Sequence, residues 1–186
     1  MKKELIKEVK DSVDFESYCI GRLCSNCAFD NYNGNCQNLY RNIKEDMFDV
    51  YIAAPFFNQN QITRVELVKS VLENSGLSYF SPKDDSAVSD INDPENRKKV
   101  FKLNHDSIDS SKMVIAITDD KDPGTIWEAG YAFAKGIPVI YVAFTLGAEG
   151  KFNLMLAESG KAACRTVEEL KKAIAGQEIY FKGNIE

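Results

Sequence analysis

Apolar runs recur along the last three quarters of the chain, separated by segments with helical spacing. The first, Asp49-Val-Tyr-Ile-Ala-Ala54, is rich in strand-favouring residues and ends at Pro55. After the loop Pro55-Phe-Phe-Asn-Gln-Asn60, the positions Ile62, Val65, Leu67, Val68, Val71 and Leu72 predict one apolar helix face, stopped by Asn74-Ser-Gly76. Leu77-Ser-Tyr-Phe80 predicts a second strand, and residues 83–93 read as an acidic, polar loop. Asp93-Pro94 supplies an N-cap followed by proline at the first helical position. The helix it opens is expected to run through Val100, Phe101, Leu103 and Ile108 to about Ser111.

The third and fourth strands are expected at Met113–Thr118 and Pro138–Ala143. Between them lie the acidic loop Asp119-Asp-Lys-Asp-Pro-Gly124 and a helix over Thr125–Lys135, with Gly136 as its stop. Phe144–Gly150 reads as a loop and Phe152–Leu156 as a short helical piece. Lys161–Cys164 follows as a fifth strand, then a helix opened by a capping box of Thr166 and Glu169. Strands that are apolar throughout, alternating with helices, imply a parallel sheet covered on both faces. The fold expected is α/β, a flavodoxin-like or Rossmann-like three-layer sandwich with a parallel sheet of about five strands.

The first 46 residues differ in character. Residues 2–18 read as a polar, amphipathic helix, and Asp30-Asn-Tyr-Asn-Gly-Asn35 favours turns. The chain is therefore divided into a small cysteine-bearing appendage, residues 1–46, and a main α/β domain, residues 47–186. Four of the five cysteines fall in the appendage, spaced Cys19-x4-Cys24-x2-Cys27-x8-Cys36. Four thiolates with one C-x2-C pair could hold a tetrahedral zinc. The spacing also has something of plant-type iron–sulfur ligation, and ordinary thiols or a disulfide stay open beside both.

Composition narrows the function classes. With 186 residues, 44% of them hydrophobic, the chain can bury a real core. A net charge of -5 argues against a surface that coats nucleic acid and suits a small, weakly charged ligand. The charged start, Met-Lys-Lys-Glu-Leu-Ile-Lys-Glu, lacks the apolar core of a secretory signal, and no apolar run reaches the length of a membrane span. A cytoplasmic location is the expectation.

The first strand is followed by Ala53-Ala-Pro-Phe-Phe57 rather than a glycine-rich dinucleotide fingerprint, and there is no Walker-type phosphate loop or Gly-x-Ser-x-Gly elbow. The single histidine, His105, cannot make a histidine-rich metal site. Carboxylates are left to carry any chemistry, with no cofactor required. Asp84, Asp85, Asp106, Asp119, Asp120, Asp122 and Glu128 all fall near the expected carboxyl ends of strands or on the flanking helices. Carboxylates crowded into one crevice repel, so some hold their protons while others stay ionised. Glycosidic chemistry asks for such a pair. Glu128 is expected in the first turn of its helix, near the positive end that favours an ionised carboxylate. Thr125-x-x-Glu128 equally fits a capping box, a purely structural role. Tyr51, Phe56 and Phe57 put flat rings beside the same crevice, where a flat ligand would fit.

Several segments together resemble the nucleoside 2-deoxyribosyltransferases. They are Val50-Tyr-Ile-Ala-Ala-Pro-Phe-Phe57, Asn104-His-Asp106, Asp122-Pro-Gly-Thr-Ile-Trp-Glu-Ala-Gly-Tyr-Ala132, Phe152-Asn-Leu-Met155 and Tyr180-Phe-Lys-Gly183. The resemblance covers roughly residues 49–186, and the acidic loop leading into Trp127-Glu-Ala-Gly-Tyr-Ala132 is its most specific part. It implies a homo-oligomer that moves 2-deoxyribose between nucleobases through a covalent deoxyribosyl-enzyme, with nucleosides and bases as its small-molecule partners. Glu128 falls at the nucleophile, Asp106 and Asp122 at carboxylates that handle the base and its proton, and Tyr51 at the tyrosine that orients the nucleophile. Asn153 matches an asparagine that a neighbouring subunit lends to the sugar hydroxyls, with Met155 beside it among the substrate contacts. Asp84-Asp85 stand where family members commonly place a base-holding glutamine, so Asp85 joins Phe56 and Phe57 as a substrate contact. The cysteine-bearing appendage has no counterpart in the compact form of the family. Two other functions remain open: an N-glycoside hydrolase of deoxynucleosides or their monophosphates, and a nucleoside or nucleotide sensor without catalysis. Pro55-Phe-Phe-Asn58 offers little for a phosphate, which disfavours the monophosphate reading.

Overall fold

The computed structural model describes residues 48–147 and 149–186. The helix expected over residues 2–18, and Cys19, Cys24, Cys27 and Cys36, lie outside the described residues. Within them the chain alternates strands and helices. Strand β1 (Phe48–Ala53) leads to helix α1 (Gln59–Asn74), strand β2 (Tyr79–Phe80), the short helix α2 (Pro82–Asp85) and helix α3 (Pro94–Asp109). Strand β3 (Ser111–Ile117), helix α4 (Pro123–Ala134) and strand β4 (Val139–Val142) follow. Strand β5 (Lys151–Phe152), helix α5 (Leu154–Ser159), strand β6 (Ala162–Cys164), helix α6 (Val167–Ile174) and strand β7 (Asn184–Ile185) complete it.

Five strands form one parallel sheet in the order β2-β1-β3-β4-β6. Alternation along β1 divides the core in two, since successive side chains point to opposite faces. Val50 and Ile52 join Val65, Val68 and Leu72 of α1 and Leu170 and Ala173 of α6 on one face. Tyr51 and Ala53 join Phe80, Ile108 of α3 and Ala129 and Ala132 of α4 on the other. Each fully buried valine or leucine contributes roughly 1.5–3 kcal/mol, so the two helix layers hold the sheet between them. This is the three-layer sandwich expected from the sequence.

The strand order reverses between β1 and β3, because α1 returns on one face and α4 on the other. Open α/β sheets bind ligands outside the carboxyl ends of the strands at such a switch point. The segments meeting there are the Ala54–Asn58 turn and the Thr118–Asp122 loop.

Several boundaries depart from expectation for local reasons. Residues 82–85 form a helical turn rather than a loop, started by Pro82, whose fixed φ suits the first helical position. Helix α4 opens two residues before Thr125: Asp122 is its N-cap and Pro123 its first residue. Glu128 therefore lies in the second turn, and the expected Thr125–Glu128 capping box does not form. At Thr166 the side chain accepts from the Glu169 amide at 3.1 Å, while Glu169 Oε2 accepts from the Arg165 amide at 2.7 Å. Gly136, at φ 72°, ends α4 in the left-handed conformation, with the Ile137 amide reaching back to the Ala132 carbonyl at 2.9 Å. The closing residues, not expected as a strand, form β7 and pair with β5. No helix among the described residues is long and apolar enough to cross a membrane.

Candidate active site

Tyr51 lies in the middle of β1, with Phe80 of β2 and Val114 of β3 as its register partners. It is fully buried, and its ring stacks on Phe80 at 5.6 Å between centroids and 10° between planes. Among the described residues one polar group meets its hydroxyl: Tyr51 Oη donates to Glu128 Oε1 at 2.5 Å. Glu128 reaches it from α4, one turn before Ala132 on the stripe that faces the sheet. Residues 77 apart in sequence are thus brought together at the carboxyl edge of β1 and β3.

Burial dominates the electrostatics of this pair. The Glu128 carboxyl is pushed up to about 7, chiefly by burial, with the hydrogen bond from Tyr51 working against it and the Asp122 charge adding a smaller upward push. The helix-terminus effect expected to keep Glu128 ionised is therefore outweighed, as the residue sits a turn deeper than the terminus itself. Burial and the adjoining carboxylate also hold the Tyr51 phenol well above its ordinary range, so it stays a proton donor in the hydrogen bond.

Asp122 is fixed by its own helix. Its Oδ2 accepts from the Thr125 amide at 2.8 Å and from Thr125 Oγ1 at 3.0 Å, and Thr125 is buried. No hydrogen bond from the described residues reaches Oδ1, which is left for another partner. The loop before it is tied at Asp119, whose side chain is inaccessible: Oδ1 accepts from the amide and the hydroxyl of Thr145, at 2.5 and 2.7 Å. Asp120 pairs with Arg64 of α1. These ties hold the loop that presents Asp122 and starts the helix carrying Glu128.

The first turn is built by residues sequence reasoning passed over. Asn58 caps α1, accepting from the Gln61 amide at 3.0 Å, and the buried Gln61 accepts from the Phe57 amide at 2.7 Å. Phe56 and Phe57 are held as a ring pair, 5.4 Å between centroids, with Phe57 76% exposed. Asn followed three residues later by Gln is the local signal that marks this cap.

Other expected site residues do not join the pair. Asp106 is half-exposed and bound to Lys102 at 2.6 Å, with His105 Nδ1 at 3.5 Å from its other oxygen. Asp85 accepts from the Ser81 amide at 2.8 Å, closing its own short helix. Asp84 pairs with Lys69 and Lys83. Asn153 caps α5, with Oδ1 accepting from the Met155 and Leu156 amides, and Met155 is 73% exposed. Both line a cavity of about 410 Å³ together with Thr118, Asp119, Lys121 and Glu186, and neither Tyr51 nor Glu128 borders it. Asp49 is structural, accepting from Ser78 and Lys112 at the start of β1. Among the described residues, no group of three or more His, Cys, Asp or Glu side chains could hold a metal ion.

A largely buried carboxylate with a tyrosine on one oxygen and an acid nearby is suited to nucleophilic attack at a sugar carbon. Comparisons with known proteins show the family to which the fold belongs. The 2-deoxyribosyltransferase of the psychrotolerant bacterium Bacillus psychrosaccharolyticus is 30% identical in sequence, with a TM-score of 0.61 over 66% of this chain and 89% of that one. A conserved protein from Enterococcus faecalis V583, 20% identical, aligns with a TM-score of 0.58 over 70% of this chain and 98% of that one, which bears on the fold alone. No curated protein sequence matches. The sequence profile of the nucleoside 2-deoxyribosyltransferases matches residues 50–162, a span that holds Tyr51, Asp122 and Glu128. By that match and the fold that goes with it, the chain belongs to the nucleoside 2-deoxyribosyltransferase family.

Proposed function

We propose that the protein transfers 2-deoxyribose from one nucleobase to another, with Glu128 as the nucleophile. The observation that carries this reading is the hydrogen bond from the buried Tyr51 to the part-buried Glu128 at the carboxyl edge of β1 and β3.

In the first step ionised Glu128 attacks C1′ of the deoxynucleoside. The C1′–N bond breaks, its electron pair leaves with the base, and the base takes a proton from Asp122 through the Oδ1 oxygen left free by the capping bonds. In the second step a different base attacks C1′, the C1′–Glu128 ester bond breaks, and the incoming base returns its proton to Asp122. Two inversions at C1′ give overall retention. Tyr51 holds one oxygen of the nucleophile and leaves the other to react. The Phe56–Phe57 pair supplies an aromatic wall for a flat base.

Asn153 and the exposed Met155 act on the site of a second copy in this reading, so the working unit is a homo-oligomer. In support, they border a cavity on their own chain that includes neither member of the catalytic pair. The four cysteines of the first 46 residues are proposed as a structural zinc site outside the chemistry.

The test is incubation of a deoxynucleoside with a second free base, the products separated by mass. Exchanged nucleoside is expected. Free 2-deoxyribose without exchange would assign the protein to hydrolysis instead, and binding without turnover would make it a sensor.

A further inference from the structure

An arginine stands on the core-facing stripe of α1. Arg64 follows the buried Gln61 by three residues and precedes the buried Val68 by four, spacings that put all three on one helix face. Its side chain is only 13% exposed and ends on the loop after β3. One guanidinium nitrogen bonds Asp120, and Nε lies 3.9 Å from Asp119 Oδ2. A guanidinium drawn that far out of water loses hydration, which a facing carboxylate has to offset.

Asp119 is placed to do so. Its side chain is inaccessible to solvent. Oδ1 accepts from the Thr145 amide and hydroxyl, at 2.5 and 2.7 Å, while Oδ2 has no hydrogen-bond partner among the described residues. The Arg64 guanidinium is the charge that faces this oxygen, and removing it would leave a buried carboxylate uncompensated. Asp119 thereby joins three segments at the carboxyl edge of the sheet. Arg64 ties it to α1, Thr145 ties it to the segment after β4, and its own loop runs on into Asp122 and α4. Helix α1 packs on one face of the sheet and α4 on the other, so the contact joins the two layers over the edge between them.

We propose that Arg64 is a positioning residue for the transfer reaction: acting through Asp119, it fixes where the Asp122 carboxyl and the start of α4 stand beside the sugar. The assignment rests on the transferase reading and deepens it. It gives a part in catalysis to a residue on the helix layer opposite Glu128, where nothing touches the Tyr51–Glu128 pair directly. Such a residue acts on rate more than on affinity, because a proton donor displaced by a fraction of an ångström still leaves the substrate bound.

The test is a double-mutant cycle on the full chain, with melting temperature and steady-state exchange kinetics measured for Arg64→Met, Asp119→Asn, the two together, and Arg64→Lys. Methionine keeps much of the stem without the charge, and asparagine keeps an acceptor for Thr145. Arg64→Met strands the Asp119 carboxylate, so kcat is expected to fall about tenfold or more with KM within about twofold of the parent. The double variant leaves no buried charge uncompensated. It is expected to melt above Arg64→Met and to be no slower than the slower single variant, since both substitutions act on one contact. Arg64→Lys keeps the charge but cannot span both carboxylates with a planar fork, so it should recover most of the stability and part of kcat. An unchanged kcat in Arg64→Met, rate losses that multiply in the double variant, or a loss that follows only the unfolded fraction would overturn the assignment. Absence of exchange in the parent would overturn the transferase reading and this role with it. The melting cycle tells the two failures apart: coupling without exchange counts against the reading, and exchange without coupling counts against Arg64.

Discussion

The Tyr51 hydroxyl donates to Glu128 Oε1 at 2.5 Å from a position with no access to solvent. This contact lowers the proton affinity of a carboxyl that burial and Asp122 drive upward. The nucleophile is therefore half ionised near neutrality rather than fully so. The rate of deoxyribosyl transfer should rise with pH through about 7 on its acid limb. Tyr51→Phe removes the one favourable contribution, so its acid limb should move to higher pH, with a loss at pH 6 of about tenfold or more. A pH profile of kcat/KM for both proteins checks this; an unmoved limb would separate Tyr51 from the nucleophile.

The same shift has a consequence for stability. Glu128 titrates at about 7 when folded against an ordinary value of 4.5, so the native state holds the proton more tightly. Ionisation then costs stability as pH rises from 4.5 through 7, roughly 3 kcal/mol in the limit. Glu128→Gln removes that cost and still accepts from Tyr51. Its melting temperature should exceed the parent's by several degrees at pH 8 and match it below pH 4.5. Thermal melts across this range decide it.

Asp122 combines two roles that separate by substitution. Asparagine caps as well as aspartate, whereas alanine loses about 1 kcal/mol of capping. Asp122→Asn should therefore fold as stably as the parent, titrate Glu128 at lower pH, and lose most of its transfer rate. Asp122→Ala should show the same catalytic loss with a lower melting temperature. Equal activity in Asp122→Asn would remove it from the proton path.

If Asn153 serves the site of another copy, two inactive variants should complement each other. Asn153→Ala and Glu128→Ala chains, mixed and allowed to exchange subunits, are expected to regain activity that neither has alone. No recovery would mean that each chain completes its own site.

Most of the fold was legible because continuous apolar runs and helical spacing mark buried strands and covering helices, and the five strands fall where those runs lie. The Asp93-Pro94 start and the Gly136 stop were also local signals that the structure keeps. The start of α4 was misjudged because two N-cap patterns overlap, Thr125-x-x-Glu128 and Asp122-Pro123. Proline at the first helical position favours the second, and this moves Glu128 into the second turn. The pairing of β7 with β5 depends on a contact between segments about 30 residues apart, which no window of sequence reveals. Tyr51 and Glu128 could be named in advance, but the burial that raises Glu128 is a property of the assembled helices and sheet.

The central claim is that Glu128 forms the bond to the sugar. The most direct measurement incubates the parent and Glu128→Ala with deoxyadenosine and a second base, following exchange and looking for a deoxyribosyl adduct on the intact protein by mass. Exchange by the parent, an adduct mapped to Glu128, and neither of these in the variant are the results predicted. Exchange that persists in Glu128→Ala, or an adduct on another residue, would contradict the account.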